Sequence, residues 1–373
     1  MAVQLKKIET AQDKDRFIRF PWKIYENNPL WVPPLVGERG RFLDPDINPF
    51  FEHAEADLYL ALSDNDEPLG RIAVIDDQLY NEFHSESAGF FGMFESVEDQ
   101  EVANLLLDKA LDWSRSKGFK KLMGPMNLST NHECGLLVEG FDTPPIVGIP
   151  YNPPYYTQLF NEWGLIKAKD LVSYRIEVKG IPKYLERASE RIRKRSRFKF
   201  RQLDLDNFEK EIDVIWDIYN SAWSKNWGFV PLTRKEFVFI ADELKHIIQP
   251  GFCLIAEVNG EPAGFSLTVP DINQILKTMD GKLFPFGMIK IYLNKSKIDG
   301  CRVLTLGVKK NFQHIGIDVL FYYETYKICL KNKIPWCDIS WILEDNIPML
   351  TPVSRLGAIP YKRHRIYERI SHN

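Results

Sequence analysis

The sequence predicts a mixed α/β protein built from two copies of one unit. Glu67-Pro-Leu-Gly70 and Glu261-Pro-Ala-Gly264 each sit between two strand-like segments. Asn152-Pro-Pro-Tyr155 and Asn346-Ile-Pro-Met349 each open a helix-like stretch that ends on a glycine, Gly164 and Gly357. The copies are offset by 194 residues at the first glycine, 194 at the asparagine and 193 at the last glycine. A repeat of that length reads as a duplicated domain rather than a solenoid. At 373 residues the chain is long enough for two domains, each with its own core.

Along the first copy, Val3–Ile8 reads as a strand and residues 12–27 as a helix. Asp57–Ser63 and Leu69–Ile75 form a hairpin around a polar turn. Gly89–Glu95 is a short aromatic strand. Val102, Leu106, Ala110 and Trp113 recur at helical spacing up to a stop at Gly118. Lys121–Met126 is a strand, residues 127–154 are rich in loops, and residues 155–163 make a helix before the strand Leu171–Val178. The second copy repeats the order. It has the strand Phe198–Leu205, the helices Phe208–Lys225 and Thr233–Ile248, and a hairpin that turns at Asn259-Gly260. An insertion runs from Pro270 to Gly300. The strand Arg302–Val308, the helix Gly316–Asn332, the strand Trp336–Leu343, the helix Met349–Leu356 and closing strands over 359–369 complete it. This is a layered α/β arrangement on mixed sheets.

Composition narrows the function classes. The chain is 45% hydrophobic and 27% charged, with a formal charge of -3, which suits a globular protein and gives no global reason to expect nucleic acid. No 18-residue apolar stretch is present, so no membrane partner is expected. The start of the sequence lacks the apolar core of a signal peptide. Cys134, Cys253, Cys301, Cys329 and Cys337 are scattered, with no C-x-x-C pair, so neither a metal site nor a disulfide framework is expected and a cytoplasmic setting fits best.

One segment carries site chemistry. Leu304–Val308 reads as a strand, Lys309–Phe312 as a turn, and Gln313-His314-Ile315-Gly316-Ile317-Asp318 as the start of a helix. Such a helix start offers free backbone N–H groups and a positive dipole end to a phosphate. Gly316 lets the backbone approach closely. This loop, the order of elements around it, and Asn346 before a helix resemble the GNAT acetyltransferase superfamily, whose loop reads Q/R-x-x-G-x-G/A. Residues 198–369 cover that pattern. Trp341-Ile-Leu-Glu-Asp-Asn346 and Arg365-Ile-Tyr367-Glu resemble a bacterial family of double-GNAT proteins, and that resemblance spans nearly the whole chain. It implies two tandem GNAT-like domains, a degenerate one over 1–178 and one with the acetyl-CoA-type loop over 179–373. It further implies acetyl-CoA or another acyl-CoA held by Leu306, Gly307, Val308, Gln313, His314, Ile315, Gly316, Ile317 and Asn346.

The departures from the family pattern matter as much. Asp318 stands where glycine or alanine is usual, and Val353 where the tyrosine proton donor is usual. The strand 303–308 carries no glutamate to act as base. Tyr361 and Tyr367 are the nearby candidates to replace the missing phenol, with Tyr367 preferred as catalytic and Glu344 as a carboxylate able to orient water or an amine. Between Phe94 and Val102 the first copy has Glu95, Glu98, Asp99 and Glu101 instead of the loop, so one CoA per chain is expected, in the second copy.

Several residues carry two readings. Trp223 and Trp227 read as core aromatics or as an acceptor border. Asp271 and Asn273 read as a surface turn or an acceptor contact. Asn346 reads as a helix cap or a ligand contact. The basic run over 187–201 reads as a solvated face, or as a seat for an RNA backbone or the CoA 3′-phosphate. The leading function is acetyl transfer from CoA to a small-molecule or peptide amine, with no metal and no covalent enzyme intermediate. The alternatives are a non-catalytic CoA- or metabolite-binding protein and an aminoacyl-tRNA-dependent transferase.

Overall fold

Both Glu-Pro-x-Gly segments fold as the second arm of an antiparallel hairpin in the computed structural model, which describes residues 3–195, 198–245, 247–248, 251–285 and 287–371. Their glycines serve packing. A Cβ on Gly70 would lie 2.7 Å from Leu106 Cδ1, and one on Gly264 2.7 Å from the Gly307 carbonyl oxygen. The two later glycines end helices: Gly164 (φ 93°) and Gly357 (φ 84°) adopt the left-handed backbone that glycine tolerates best.

The chain divides into two units. Unit 1 takes the chain up to Leu171, the segment Ile275–Tyr292 and the stretch from Lys362 onward. Its elements are β1 (Val3–Lys7), α1 (Ala11–Arg19), α2 (Pro21–Ile24), α3 (Val36–Phe42), β2 (Ala54–Ser63), β3 (Pro68–Asp77), α4 (Gln78–His84), β4 (Ala88–Ser96), α5 (Gln100–Ser116), β5 (Lys121–Gly124), β6 (Leu136–Glu139) and α6 (Tyr156–Trp163), followed by the first half of β7 (Ile166–Glu177). The single helix expected over residues 12–27 breaks at Pro21, which lacks an N–H and starts the short α2 instead.

Unit 2 takes Val172–Gln274 and Leu293–Tyr361. After the rest of β7 come α7 (Lys183–Arg195), β8 (Phe198–Gln202), α8 (Phe208–Trp223), α9 (Arg234–Leu244), β9 (Cys253–Val258) and β10 (Glu261–Pro270). The expected insertion holds two helices, α10 (Asn273–Leu276) and α11 (Gly287–Asn294), and most of it belongs to unit 1. Then follow β11 (Gly300–Val308), α12 (Ile317–Lys331), β12 (Trp336–Leu343), α13 (Ile347–Arg355) and β13 (Ile359–Ile370).

The two units share a strand order. In unit 1 it is β1-β2-β3-β4-β5, and in unit 2 β8-β9-β10-β11-β12. In each, the last listed pair is parallel and the others antiparallel. The closing strands differ from the expectation. Unit 1 is completed by β13, whose residues Tyr367–Ile370 pair with Gly124–Lys121 of β5, and unit 2 is completed by the later half of β7 beside β12. The segments 1–178 and 179–373 therefore depart from the compact units at three places.

The reason lies in side-chain chemistry along β13. Tyr367 is 1% exposed and packs with Phe160 and Leu122 in the core of unit 1. Arg365 Nε and Arg363 Nη1 donate to the buried Asp170 carboxylate at 2.8 and 3.3 Å. Lys362 Nζ donates to the Gly140 and Thr143 carbonyls at 2.6 and 2.7 Å. Cores of this kind contribute about 1.5–3 kcal/mol per large apolar side chain.

Burial alone would raise the Asp170 carboxyl, but Arg365 and Lys167 outweigh it and hold the group below its ordinary value of 3.8. A carboxyl lowered on folding adds stability that is present above its unfolded pKa and is lost as pH falls through the folded value. Asp170→Asn should therefore cost about 3 kcal/mol at pH 7. That deficit should shrink as pH drops below about 4, near the unfolded pKa. Urea denaturation at pH 7 and at pH 3 checks this, and an equal deficit at both would count against the pairing.

Candidate active site

β11 follows β10 from Cys301↔Pro270 to Val308↔Gly264, across a bulge at Leu267/Thr268. Its parallel pairing with β12 ends at Val303↔Ile339, although β12 continues to Leu343. Beyond that row the two strands part. An aromatic group holds β11 on the β10 side. Trp223 stacks on Tyr219 with ring centroids 4.9 Å apart and packs beside Phe265. The Trp223 ring fills the space at Gly307, where a Cβ would lie 2.2 Å from Cη2. Gly307 and Trp223, assigned to cofactor and acceptor from the sequence, are thus partners in packing.

After β11 the chain turns into α12. Gln313 Nε2 donates back to the Val308 carbonyl at 3.1 Å and braces the turn. His314 (φ 66°) and Gly316 (φ 96°) take left-handed backbone. Gly316 is the N-cap of α12, and no side chain caps this end. The first intrahelical bond runs from Leu320 N–H to the Gly316 carbonyl at 3.2 Å. The N–H groups of Ile317, Asp318 and Val319 precede it, uncapped by any side chain, at the positive end of the helix dipole. A Cβ on Gly316 would lie 2.7 Å from Ile192 Cδ1, so α7 presses on the helix start. Burial raises the Tyr322 phenol, and the Asp318 carboxylate one turn earlier raises it further.

The equivalent place in unit 1 carries its own anion. Asp99 caps α5 and accepts from the N–H groups of Glu101 and Val102 at 2.8 and 3.4 Å. A carboxylate satisfies the donors that Gly316 leaves open. Nearby Glu95 is also enclosed. Tyr156 and Tyr25 donate to it at 2.7 and 3.0 Å, and burial raises its carboxyl.

On the α12 face of unit 2 lies a small apolar cleft, part of it open to solvent. Val303 and Leu306 of β11, Ile339 of β12, Tyr322 and Tyr326 of α12 and Met349 of α13 line it. The Tyr322 hydroxyl there is buried without a hydrogen-bond partner.

Alternation along β12 sends Asp338 and Ser340 to the opposite face from Cys337 and Ile339. Tyr361 Oη donates to Asp338 Oδ2 at 2.7 Å, and the Ser340 hydroxyl donates to Asp338 Oδ1. Arg302, the register partner of Asp338, donates from Nε to Ser340 Oγ at 3.0 Å and stands 3.9 Å from Asp338 Oδ1. Asp338 is fully buried. Burial and then the Asp338 carboxylate push the Tyr361 phenol well above its ordinary value. This network sits one row before the strands part. Sequence reasoning named Tyr361 but missed Asp338, Ser340 and Arg302; the signal was a pair of polar residues alternating inside the otherwise apolar Trp336–Leu343.

The other assigned residues scatter. Leu306, Val308, Ile315 and Ile317 lie on or beside the loop, with Ile317 buried as the first residue of α12. Asn346 caps α13, its side chain accepting from Met349 N–H at 3.4 Å. Glu344 is half-buried in the turn before it. Val353 is fully buried in the unit 2 core. Trp227 lies in the turn after α8, Asp271 lies between β10 and α10, and Asn273 is the first residue of α10. Tyr367, preferred as proton donor, belongs to the core of unit 1 and not to the unit that carries the loop. In the basic run, Arg193 pairs with Glu324, and Arg201 with Glu211 and Glu257, while Ser196 and Arg197 lie outside the described residues. No cluster among the described residues has the ligands for a metal ion.

No protein-family model matches the chain. It is 36% identical over 370 residues to the bacterial ceramide synthase of Caulobacter vibrioides, covering 97% of this chain and 96% of that protein. It is 35% identical over 366 residues to protein YghO of Escherichia coli K12, covering 96% and 93%. Among solved structures, a tandem GNAT protein from the clavulanic acid biosynthesis pathway superposes with a TM-score of 0.59 at 9% identity, covering 100% of this chain and 99% of that one. A GCN5-related N-acetyltransferase from Sphaerobacter thermophilus does so with 0.54 at 10% identity, covering 100% and 96%. The chain thus matches the fold of a tandem GNAT protein along its whole length.

The Gly316 geometry is testable by itself. Gly316→Ala forces a Cβ into left-handed backbone and onto Ile192, and should cost about 1–2 kcal/mol. Ile192→Ala should relieve the contact, so the double variant should lose less than the two single losses added. Additive losses in urea denaturation would remove the contact from the account.

Proposed function

The chain belongs to the family of tandem GNAT fold that contains YghO and the bacterial ceramide synthase, and from that premise we propose that it is an acyl-CoA-dependent N-acyltransferase acting on a long-chain amine of the sphingoid-base type. The observation that carries the reading is the contrast between the two helix starts: Gly316 leaves the donors of α12 open, whereas Asp99 fills those of α5. One acyl-CoA per chain follows, in unit 2. The backbone N–H groups after Gly316 would take its diphosphate, with the turn held by Gln313. The cleft lined by Val303, Leu306, Tyr322 and Met349 is apolar and suits the hydrocarbon of an acyl chain.

In the reaction the amine nitrogen bonds to the thioester carbonyl carbon and the C–S bond breaks. The amine loses a proton and the sulfur leaves as a thiolate. No glutamate on β11 is placed to take that proton. Asp338, with its buried carboxylate already accepting from Tyr361, supplies the base, and Tyr361 passes the proton to it. Arg302 and Ser340 hold the carboxylate in place. Positioning of the two substrates at the parting strands supplies most of the rate.

Palmitoyl-CoA should raise the melting temperature of the full chain more than acetyl-CoA, with one site by calorimetry. With sphinganine as acceptor, Tyr361→Phe should lower kcat by about 100-fold and leave palmitoyl-CoA affinity within about twofold. Tyr367→Phe should leave turnover unchanged. Binding of CoA thioesters without N-acylation of any amine would replace the enzyme by a CoA-binding protein, and two sites per chain would contradict the role given to Asp99.

A further inference from the structure

Four large apolar side chains stand in solvent on one short stretch of unit 1. Phe284 is 78% exposed, Tyr292 71%, Ile289 54% and Met288 49%. Three of them lie on α11, whose Gly287 is buried and whose Ile291 is half-buried. The inward positions of the helix therefore face the protein while its outward positions are apolar too. A helix on a globular domain normally turns polar residues outward. A contiguous apolar patch of this kind marks an interaction surface.

The stretch is firmly seated. Asp280 accepts from the Trp22 indole N–H at 2.6 Å, and the Gly281 carbonyl accepts from Val36 N–H at 3.0 Å. A Cβ on Gly281 would lie 2.5 Å from Trp22 Cζ2, and one on Gly287 2.4 Å from Met279 Cε. The outward side chains are thus presented from a packed base.

Charge selects the partner. Lys277, Lys282 and Lys290 are exposed along the same stretch, and Lys290 Nζ bonds the Thr278 carbonyl at 3.2 Å while staying at the surface. The acid among residues 277–292 is Asp280, which is engaged with Trp22. In sequence, Lys295 and Lys297 follow. The whole chain carries a formal charge of -3, so this stretch is locally of opposite sign. A second copy meeting this face would bring three lysines of each copy together with only Asp280 to offset them. Apolar and aromatic side chains rimmed by lysine match an anionic lipid surface, in which the apolar groups enter the acyl boundary and the ammonium groups meet lipid phosphates.

We propose that Phe284, Met288, Ile289 and Tyr292, with the lysines around them, attach the protein to the surface of an anionic bilayer. No helix among the described residues is long and apolar enough to cross a membrane, and attachment at the surface requires none. The inference stands on this surface alone and not on the reading of the unit 2 site.

The full chain is to be sedimented with vesicles of phosphatidylcholine containing 30% phosphatidylglycerol. It should pellet with them and bind pure phosphatidylcholine vesicles at least about tenfold more weakly. The triple variant Phe284→Ser/Ile289→Ser/Tyr292→Ser should lose at least about tenfold in partitioning while keeping its melting temperature, because all three side chains are exposed. Lys282→Gln/Lys290→Gln should weaken binding to the anionic vesicles alone. No pelleting, or pelleting that the triple variant retains, overturns the proposal. So does a wild-type dimer in sedimentation velocity that the triple variant converts to monomer, since the face would then belong to a second copy.

Discussion

β11 and β12 share register only from Gly300↔Trp336 to Val303↔Ile339, and the site of unit 2 is arranged around their separation. β11 is held away by its long pairing with β10 and by the Trp223 ring pressed onto Gly307. Backbone groups released by two parting strands in an interior need other partners or a ligand. The polar network of Asp338, Tyr361, Ser340 and Arg302 stands on one face of the sheet at that row, and the apolar cavity on the other. The parting of β11 and β12 thus lies between an apolar side and a polar side of the sheet.

The two units have the same frame and different electrostatics. Each has a helix entering after its fourth strand, and each such helix has orphan N–H groups at its start. α5 satisfies them with Asp99, and Glu95 beside it is closed in by two tyrosines. α12 satisfies them with no side chain. One frame thus gives a self-contained unit in one case and a receptive one in the other.

The sequence made much of this frame legible because hairpins and helix stops have local signatures. The Glu-Pro-x-Gly hairpins, Gly164 and Gly357 depend on turn chemistry confined to a few residues, and the Gln313–Gly316 turn is similarly local. What sequence reasoning misplaced depended on distant partners. β13 was assigned to the second copy because it follows that copy's last helix, yet Asp170 and the Phe160 pocket recruit it to unit 1. Tyr367 moved with it. Asp338 was overlooked because one carboxylate in an apolar strand has no meaning until Arg302, Ser340 and Tyr361 are seen around it. Asn152 and Asn346 look equivalent in the repeat, but Asn152 bonds the Leu137 backbone at 2.6 and 3.1 Å whereas Asn346 caps a helix.

The assignment of β13 to unit 1 has a consequence for synthesis. Domains generally fold in the order in which the ribosome delivers them, the N-terminal one first. Here the strand that covers β5 and carries Tyr367 into the core leaves the exit tunnel only after all of unit 2. Unit 1 must wait, with the β5 edge and the Phe160 pocket exposed, while the later unit is translated. The nascent chain therefore carries an unfinished N-terminal half until residues 362–370 have been made, and a translational pause anywhere in unit 2 prolongs that exposure.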